Sequence, residues 1–362
     1  MLALVGDSEG CTLWRVWQPF TELQRRGYAA WWRSKDDPEL GAPEWPYLAA
    51  TRLEAVILPR LSWYDQTDAR RFVDSVHGAG LAVIYDLDDD LLSPQIEARL
   101  QMTTQRDRAP RQLEQDRRDR ITAIRLCDGV TTSSDYLADL VRQYVDVPVD
   151  VVPNAIDSVW FRRVLRGAPR IVRKNLTIGW AGGSRLADDF EPVAEAWHNI
   201  AKARPDVHFV VQGFLPEILT DAVPPRRLHQ VPWLSIEEYP RAMRSVDIAC
   251  CCVAPTHFNR CKTPIKLWEF TLAGAVSVVS PTLYGPVASP CEDALVAETA
   301  AEWEDALIRL VDDCELRRRL WKAQRRRVAT QHSLEQHVLE WPRAWTGILD
   351  HFKNQSQHLL SA

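Results

Sequence analysis

The chain has 362 residues, past the roughly 250 at which a single hydrophobic core stops growing, so its length points to two domains. With 46% apolar and 26% charged residues it has the composition of an ordinary folded protein, which excludes a small disulfide scaffold and a disordered chain. Lys+Arg 44 against Asp+Glu 49 leaves a net charge of −5, so nothing draws the whole molecule to phosphate backbones or anionic lipid, and nucleic-acid contact would need a local basic patch.

From the N-terminus, MLALVGDSEG lacks a basic segment followed by an apolar one, and no later stretch reaches the roughly 18 apolar residues of a membrane helix. The expected location is cytoplasmic. Short apolar runs predict strands at 2–5, 55–58, 81–85, 129–132 and 149–152, with helices between them. Helices at 19–26 and 65–77 end near Gly27 and Gly78. The stretch 153–174, with Pro, Asn, Gly and several Arg, reads as a connection. A second series of strands follows at 176–180, 208–212, 228–231, 248–253 and 275–279.

Strands alternating with helices from end to end predict an α/β protein with two parallel-sheet, Rossmann-like halves facing across a cleft. The expected bounds are 1–153 for the first domain, 154–174 for the linker and 175–335 for the second domain. Residues 336–362 would follow as a C-terminal segment. Ligands of such sheets bind beyond the carboxyl ends of the strands.

The loop after the first strand, Gly6 to Arg15, has two glycines but no G-x-G-x-x-G spacing, which disfavours a dinucleotide dehydrogenase. Gly10 would let a substrate approach the backbone, and Arg15 would face the cleft. At the end of the third strand, Asp86-Leu87-Asp88-Asp89-Asp90 places four carboxylates within five residues. They suit a divalent metal, or Asp86 and Asp88 can hold acceptor hydroxyls while Asp89 and Asp90 cap the next helix; the second reading is preferred. In the second half, Gly182-Gly183-Ser184-Arg185 follows a strand and offers backbone N–H groups and a forked cation to an anion.

The segment 258–270 is more specific. Thr263 as N-cap and Pro264 as first helical residue predict a helix whose free N–H groups favour a diphosphate. Lys262 adds a point charge, and Lys266 and Glu269 share one helical face, where Glu269 can reach ribose hydroxyls. His257 lies close enough in sequence to approach the cleft. The eight Cys form no CxxC pair, and Cys250, Cys251 and Cys252 read as one buried strand rather than a metal site. Scattered His residues predict no metal site either. The Arg-rich stretches 99–120 and 317–327 read as solvated helix faces.

These residues resemble a known group. Val151-Val152-Pro153-Asn154-Ala155-Ile156-Asp157 is similar to the VPNGID segment at the domain junction of GT-B glycosyltransferases, especially glycosyltransferase family 4. Residues 178–183 look like that family's donor-phosphate loop, 259–280 like its donor helix and following strand, and 341–349 like its returning helix. The resemblance implies retaining transfer of a sugar from a nucleotide-diphosphate donor of the UDP-glucose type to a hydroxyl acceptor, with no metal or other cofactor. Gly182, Gly183, Arg185, Lys262, Thr263, Lys266 and Glu269 would bind the donor. Gly10, Arg15, Asp86 and Asp88 would hold the acceptor, and Arg185, Lys262 and Asp88 would be catalytic. In the family, paired glutamates are separated by seven residues, and the earlier position here is Cys261, leaving Lys262 or His257 to substitute.

The combination also looks like a bacteriophage-type subgroup, some of whose members glycosylate hydroxymethylated pyrimidines in DNA. Such modified DNA is therefore one candidate acceptor. A nucleotide-sugar 2-epimerase, a metal-dependent GT-A enzyme using Asp86-Leu87-Asp88, and a non-catalytic nucleotide-sugar binding module are the alternatives.

Overall fold

The computed structural model describes residues 1–5, 10–34, 53–60, 66–102, 107–166, 175–183, 185–289 and 292–361. Gly6 to Glu9, Asp65, Ser184, Cys291 and residues 167–174, within the stretch expected to be a linker, lie outside them.

The strands gather into two six-stranded sheets. The first contains β1 (Leu2–Val5), β2 (Trp31–Ser34), β3 (Ala55–Pro59), β4 (Ala82–Leu87), β5 (Gly129–Thr132) and β6 (Val149–Val151), in the order β2-β1-β3-β4-β5-β6. The second contains β7 (Thr177–Gly182), β8 (His208–Gly213), β9 (Leu228–Val231), β10 (Ile248–Cys251), β11 (Val276–Val279) and β12 (Leu295–Val296), in the order β12-β11-β10-β7-β8-β9. All pairings are parallel. Runs such as Leu2–Val5 and Ile248–Cys251 are buried at every residue. Such unbroken apolar stretches suit a sheet covered by helices on both faces. The expected α/β architecture of two parallel sheets is therefore present.

Some details differ. β2 was not expected, because Trp-Trp-Arg-Ser is not an apolar run; it is an edge strand with Trp31 47% exposed. β12 has two residues, too short to signal itself. β4 continues to Leu87 and draws Asp86 into the sheet, where the sequence pattern had placed it in a loop. β10 stops at Cys251, and Cys250, Cys251 and Cys252 are buried free thiols. The helix Gln66–Gly78 is followed by Gly80, rather than Gly78, in the left-handed region.

The C-terminal helix Glu340–Ser361 returns to the first sheet, and its Trp341, Trp345 and Ile348 share a buried cluster with Ala3, Ile57 and Ile84. A Cβ on Gly129 at the start of β5 would fall 2.7 Å from Ile348, so the glycine is what lets this helix approach. The two connections between the halves run side by side. Ile156 forms a parallel bridge with Ser333, with Ile156 N donating to His332 O at 2.8 Å and Leu334 N to Ile156 O at 3.0 Å.

His332, in this joint, stacks on Trp268 with ring centroids 4.7 Å apart. Burial, reinforced by His337 and Arg327, pulls its pKa down from 6.5 to about 4. The unfolded chain therefore takes up the proton first. Stability is full above pH 6.5 and declines as pH falls toward 4, by about 2–3 kcal/mol. Urea unfolding between pH 7 and 4 should show that loss in the wild type and little of it in His332→Gln; equal losses in the two proteins contradict the assignment.

Candidate functional site

The carboxyl ends of both sheets open onto one cavity of about 620 Å³. From the first half come Gly10 and Cys11 in the helical segment following β1, and Asp88 and Asp89 just past β4. From the second come Gly182 and Gly183 at the end of β7, Gly213 ending β8, Trp233 past β9, and Lys262 and Thr263 past β10. Arg185, Lys266 and Glu269 complete the donor set expected from sequence, so Gly182, Gly183, Arg185, Lys262, Thr263, Lys266 and Glu269 all lie on one wall.

The glycine turn is held by close backbone contact. Gly213 has φ +89°, and a Cβ there would lie 2.5 Å from the carbonyl oxygen of Gly182. That same carbonyl accepts from Phe214 N at 2.9 Å. A side chain at Gly213 would thus both strain the backbone and push the loop after β7 out of place.

Lys262 reaches across the cleft, and its Nζ donates to Asp89 Oδ1 at 2.5 Å. Arg60 lies 3.3 Å from Asp89 Oδ2 and 3.3 Å from Asp88 Oδ1, and also donates to the Cys11 thiol. Burial pulls the Lys262 pKa below that of an ordinary lysine, partly opposed by Asp89. For Asp89, burial acts upward, but Lys262 and Arg60 outweigh it and hold the carboxylate below its usual range. Burial raises Asp88 despite Arg60. Asp89 and Asp90 were expected to cap the next helix; Asp89 is instead paired with Lys262 and Arg60, and Asp90 accepts from Leu92 N and Ser93 N, at 3.0 and 2.9 Å, in the turn before the helix Gln95–Met102.

Arg185 is steadied by Asn259 Oδ1 at 3.4 Å and by Asp189 Oδ2 at 4.0 Å. Asp189, 2% exposed, is oriented by Asn259 Nδ2 at 2.6 Å and Ala254 N at 2.8 Å. Glu269 Oε2 accepts from Lys266 Nζ and from the Tyr239 hydroxyl, each at 2.8 Å. Burial, with Glu269 beside it, raises the Tyr239 pKa well above its ordinary value, so the hydroxyl stays a donor.

The helix after Lys262 starts one residue later than expected. It spans Ile265–Ala273 with Pro264 at the N-cap and no side-chain cap bond. Thr263 does not cap it, because its hydroxyl accepts from Asn154 Nδ2 at 2.8 Å.

Arg15 and Asp86, expected to meet the acceptor, are not on the cavity wall; they are 1% exposed and paired with each other. Arg15 Nε and Nη2 donate to the two Asp86 oxygens at 2.8 and 2.7 Å. Its Nη1 donates to Val152 O at 2.6 Å and to Asn154 Oδ1 at 3.0 Å. Thr131 Oγ1 adds a 2.5 Å bond to Asp86 Oδ2. The extra strand length of β4 accounts for this, since it carries Asp86 into the sheet interior. Gly10 and Asp88 do face the cavity.

Residues without a sequence signal also matter. Trp233 lines the cavity and is 62% exposed, with a Cβ on Gly183 falling 3.8 Å from its ring. Tyr239 and Arg60 reach the site through tertiary folding that no spacing announces. Among the arginines of 99–120, Arg99 faces Asp189, Arg108 faces Asp116, Arg117 faces Glu97 and Arg118 faces Glu114. Those four cations are thus balanced.

Residues 193–341 match the profile of a family described as Glycosyl transferase-like. A Bacillus subtilis (strain 168) protein described as a teichuronic acid biosynthesis glycosyltransferase, TuaH, is 28% identical over 163 residues. That match spans 42% of this chain and 40% of the relative's length. Two crystal structures of Anabaena Alr3699/HepE, in complex with UDP-glucose and with UDP and glucose, are similar over 96% of this chain and 99% of theirs. Their TM-scores are 0.60 and 0.61, each at 12% identity. No helix among the described residues is long and apolar enough to cross a membrane. The fold is that of the GT-B glycosyltransferases, and its second half carries the Glycosyl transferase-like match.

Proposed function

We propose that the protein is a glycosyltransferase that moves a sugar, with retention, from a nucleotide-diphosphate donor of the UDP-glucose type to a hydroxyl acceptor. The observation that carries this reading is the convergence of Lys262, Arg185 and the Gly182-Gly183 turn on one wall of the cavity, opposite Asp88. The diphosphate sits between the two cations and the glycine amides. As the bond from the sugar's anomeric carbon to the diphosphate breaks, the charge left on the diphosphate is stabilised by fixed cations. The acceptor oxygen forms the new bond, and its proton passes to the departing diphosphate oxygen or to Asp88. Burial keeps the Asp88 carboxyl above its usual pKa, closer to that of a useful proton carrier. Lys262 and Arg185 supply the counter-charge that a metal ion would otherwise bring to the diphosphate.

Glu269, fixed by Lys266 and Tyr239, holds the ribose hydroxyls. Trp233 offers its exposed face to the base. The Anabaena structures with UDP-glucose support the donor class, and the match over 193–341 supports glycosyl transfer.

The test is a panel of nucleotide sugars against free-sugar, lipid-linked and hydroxymethylated-duplex acceptors, with products resolved by mass. Sugar transfer from a UDP-sugar supports the proposal, and release of free nucleotide without an acceptor product points to an epimerase. Nucleotide binding with no turnover on any pair marks a binding module. Trp233→Ala should raise the donor KM roughly tenfold with little change in kcat, as expected for lost base stacking of about 1–3 kcal/mol. An unchanged KM removes Trp233 from the base site.

A further inference from the structure

We propose that Asp90, His257 and Cys261 form a zinc site that joins the two halves of the molecule. One ligand atom from each of the three lies within 4.8 Å of the others. His257 and Cys261 are four residues apart, on the short helix His257–Arg260 and at its C-cap, so they share one face. Asp90 comes from the opposite half, just beyond β4. A sequence reading that looked for paired histidines or CxxC spacings passes over this mixed set.

Nitrogen, sulfur and carboxylate oxygen together select a borderline-soft ion such as Zn²⁺ over Mg²⁺ or Ca²⁺, which prefer oxygen alone. Zinc bonds of about 2.0–2.3 Å need the ligand atoms roughly 3.5 Å apart, so the three close by about an ångström on loading. A water completes the tetrahedron on the half-exposed His257 side.

The surroundings already orient the ligands. Asp90 is fully buried, its Oδ1 takes Leu92 N and Ser93 N, and its Oδ2 takes the Ser93 hydroxyl, which leaves lone pairs on the carboxylate. His257 Nδ1 is 2.8 Å from the Tyr136 hydroxyl. With Nδ1 donating there, the Nε2 lone pair is left for a metal, the arrangement that outer-shell partners impose on metal-bound histidine. The Cys261 side chain is buried with Asp90 and Asp89 nearby, and these surroundings disfavour its thiolate until a cation arrives. Loading forms a Zn–S bond and releases the thiol proton to solvent. None of the three residues lines the donor cavity, and the site lies behind its wall, with Cys261 directly preceding Lys262.

The purified full-length protein, treated with chelator and dialysed, would be titrated with ZnCl₂ by calorimetry and with CoCl₂ by absorption. Expected are one equivalent of zinc, a sulfur-to-cobalt charge-transfer band, and a higher melting temperature with zinc. Cys261→Ser should abolish the band, while Cys314→Ser, altering an exposed thiol, should retain it. Should Cys261→Ser fail to fold, His257→Gln must weaken binding and shift the cobalt spectrum. Tyr136→Phe should weaken zinc by about tenfold or more. Absence of the band in the wild type, or its persistence in Cys261→Ser, overturns the proposal.

Discussion

Lys262→Ala should lower turnover by about two to three orders of magnitude, the usual loss when one fixed donor to a developing charge is removed. The fold should survive, because Asp89 keeps Arg60 at 3.3 Å when its lysine partner is gone. Lys262→Arg separates charge from chemistry. Arginine stays protonated at any pH of interest, whereas burial has already lowered the Lys262 pKa. Wild-type activity should therefore fall on the alkaline side, below the pH at which a free lysine titrates, as the amine loses the proton that makes it a counter-ion. In Lys262→Arg that alkaline limb should vanish, even if turnover at neutral pH is reduced. Steady-state kinetics from pH 6 to 10 on the three proteins checks both points. Turnover of the alanine variant within threefold of wild type, with an unaltered pH profile, removes Lys262 from the leaving-group role.

Arg15→Met should cost about 3–5 kcal/mol, the loss expected when one partner of a buried ion pair is removed and the other stays charged. Typical stabilities are about 5–15 kcal/mol, so the variant would be close to unfolding at physiological temperature. The reason is the number of elements meeting at this guanidinium. It binds both oxygens of Asp86 on β4, the Val152 carbonyl and the Asn154 side chain, and lies 4.3 Å over the Trp341 ring of the returning helix. Urea unfolding measures the loss. Adding Asp86→Leu should recover most of it, because no buried charge then remains unpaired; no recovery would show that packing rather than charge dominates. Since Asn154 also donates to Thr263 at 2.8 Å, the single variant should raise the donor KM as well.

The sheets were legible because an unalternating apolar run bounded by turn residues has few other uses. Leu2–Val5 falls where the pattern placed it, and Ile248–Cys251 and Val276–Val279 fall within their expected runs. The edge strand Trp31–Ser34 was not legible, since an edge needs backbone pairing on one side and little burial. On the donor side, small residues and cations immediately after strands gave the cavity wall, because parallel topology brings those positions together. The acceptor side was harder to read. Within Asp86-Leu87-Asp88-Asp89-Asp90, a shift of two residues in where β4 ends decides which carboxylates are interior and which face the cleft. Asp89's partner, Lys262, is 173 residues away, and no local spacing encodes such a contact.

The bridge between Ile156 and Ser333 ties the two covalent connections between the halves to each other. Each connection supplies backbone hydrogen bonds to the other, through Ile156 N to His332 O and Leu334 N to Ile156 O. Lengthening or shortening either one would therefore cost hydrogen bonds in both.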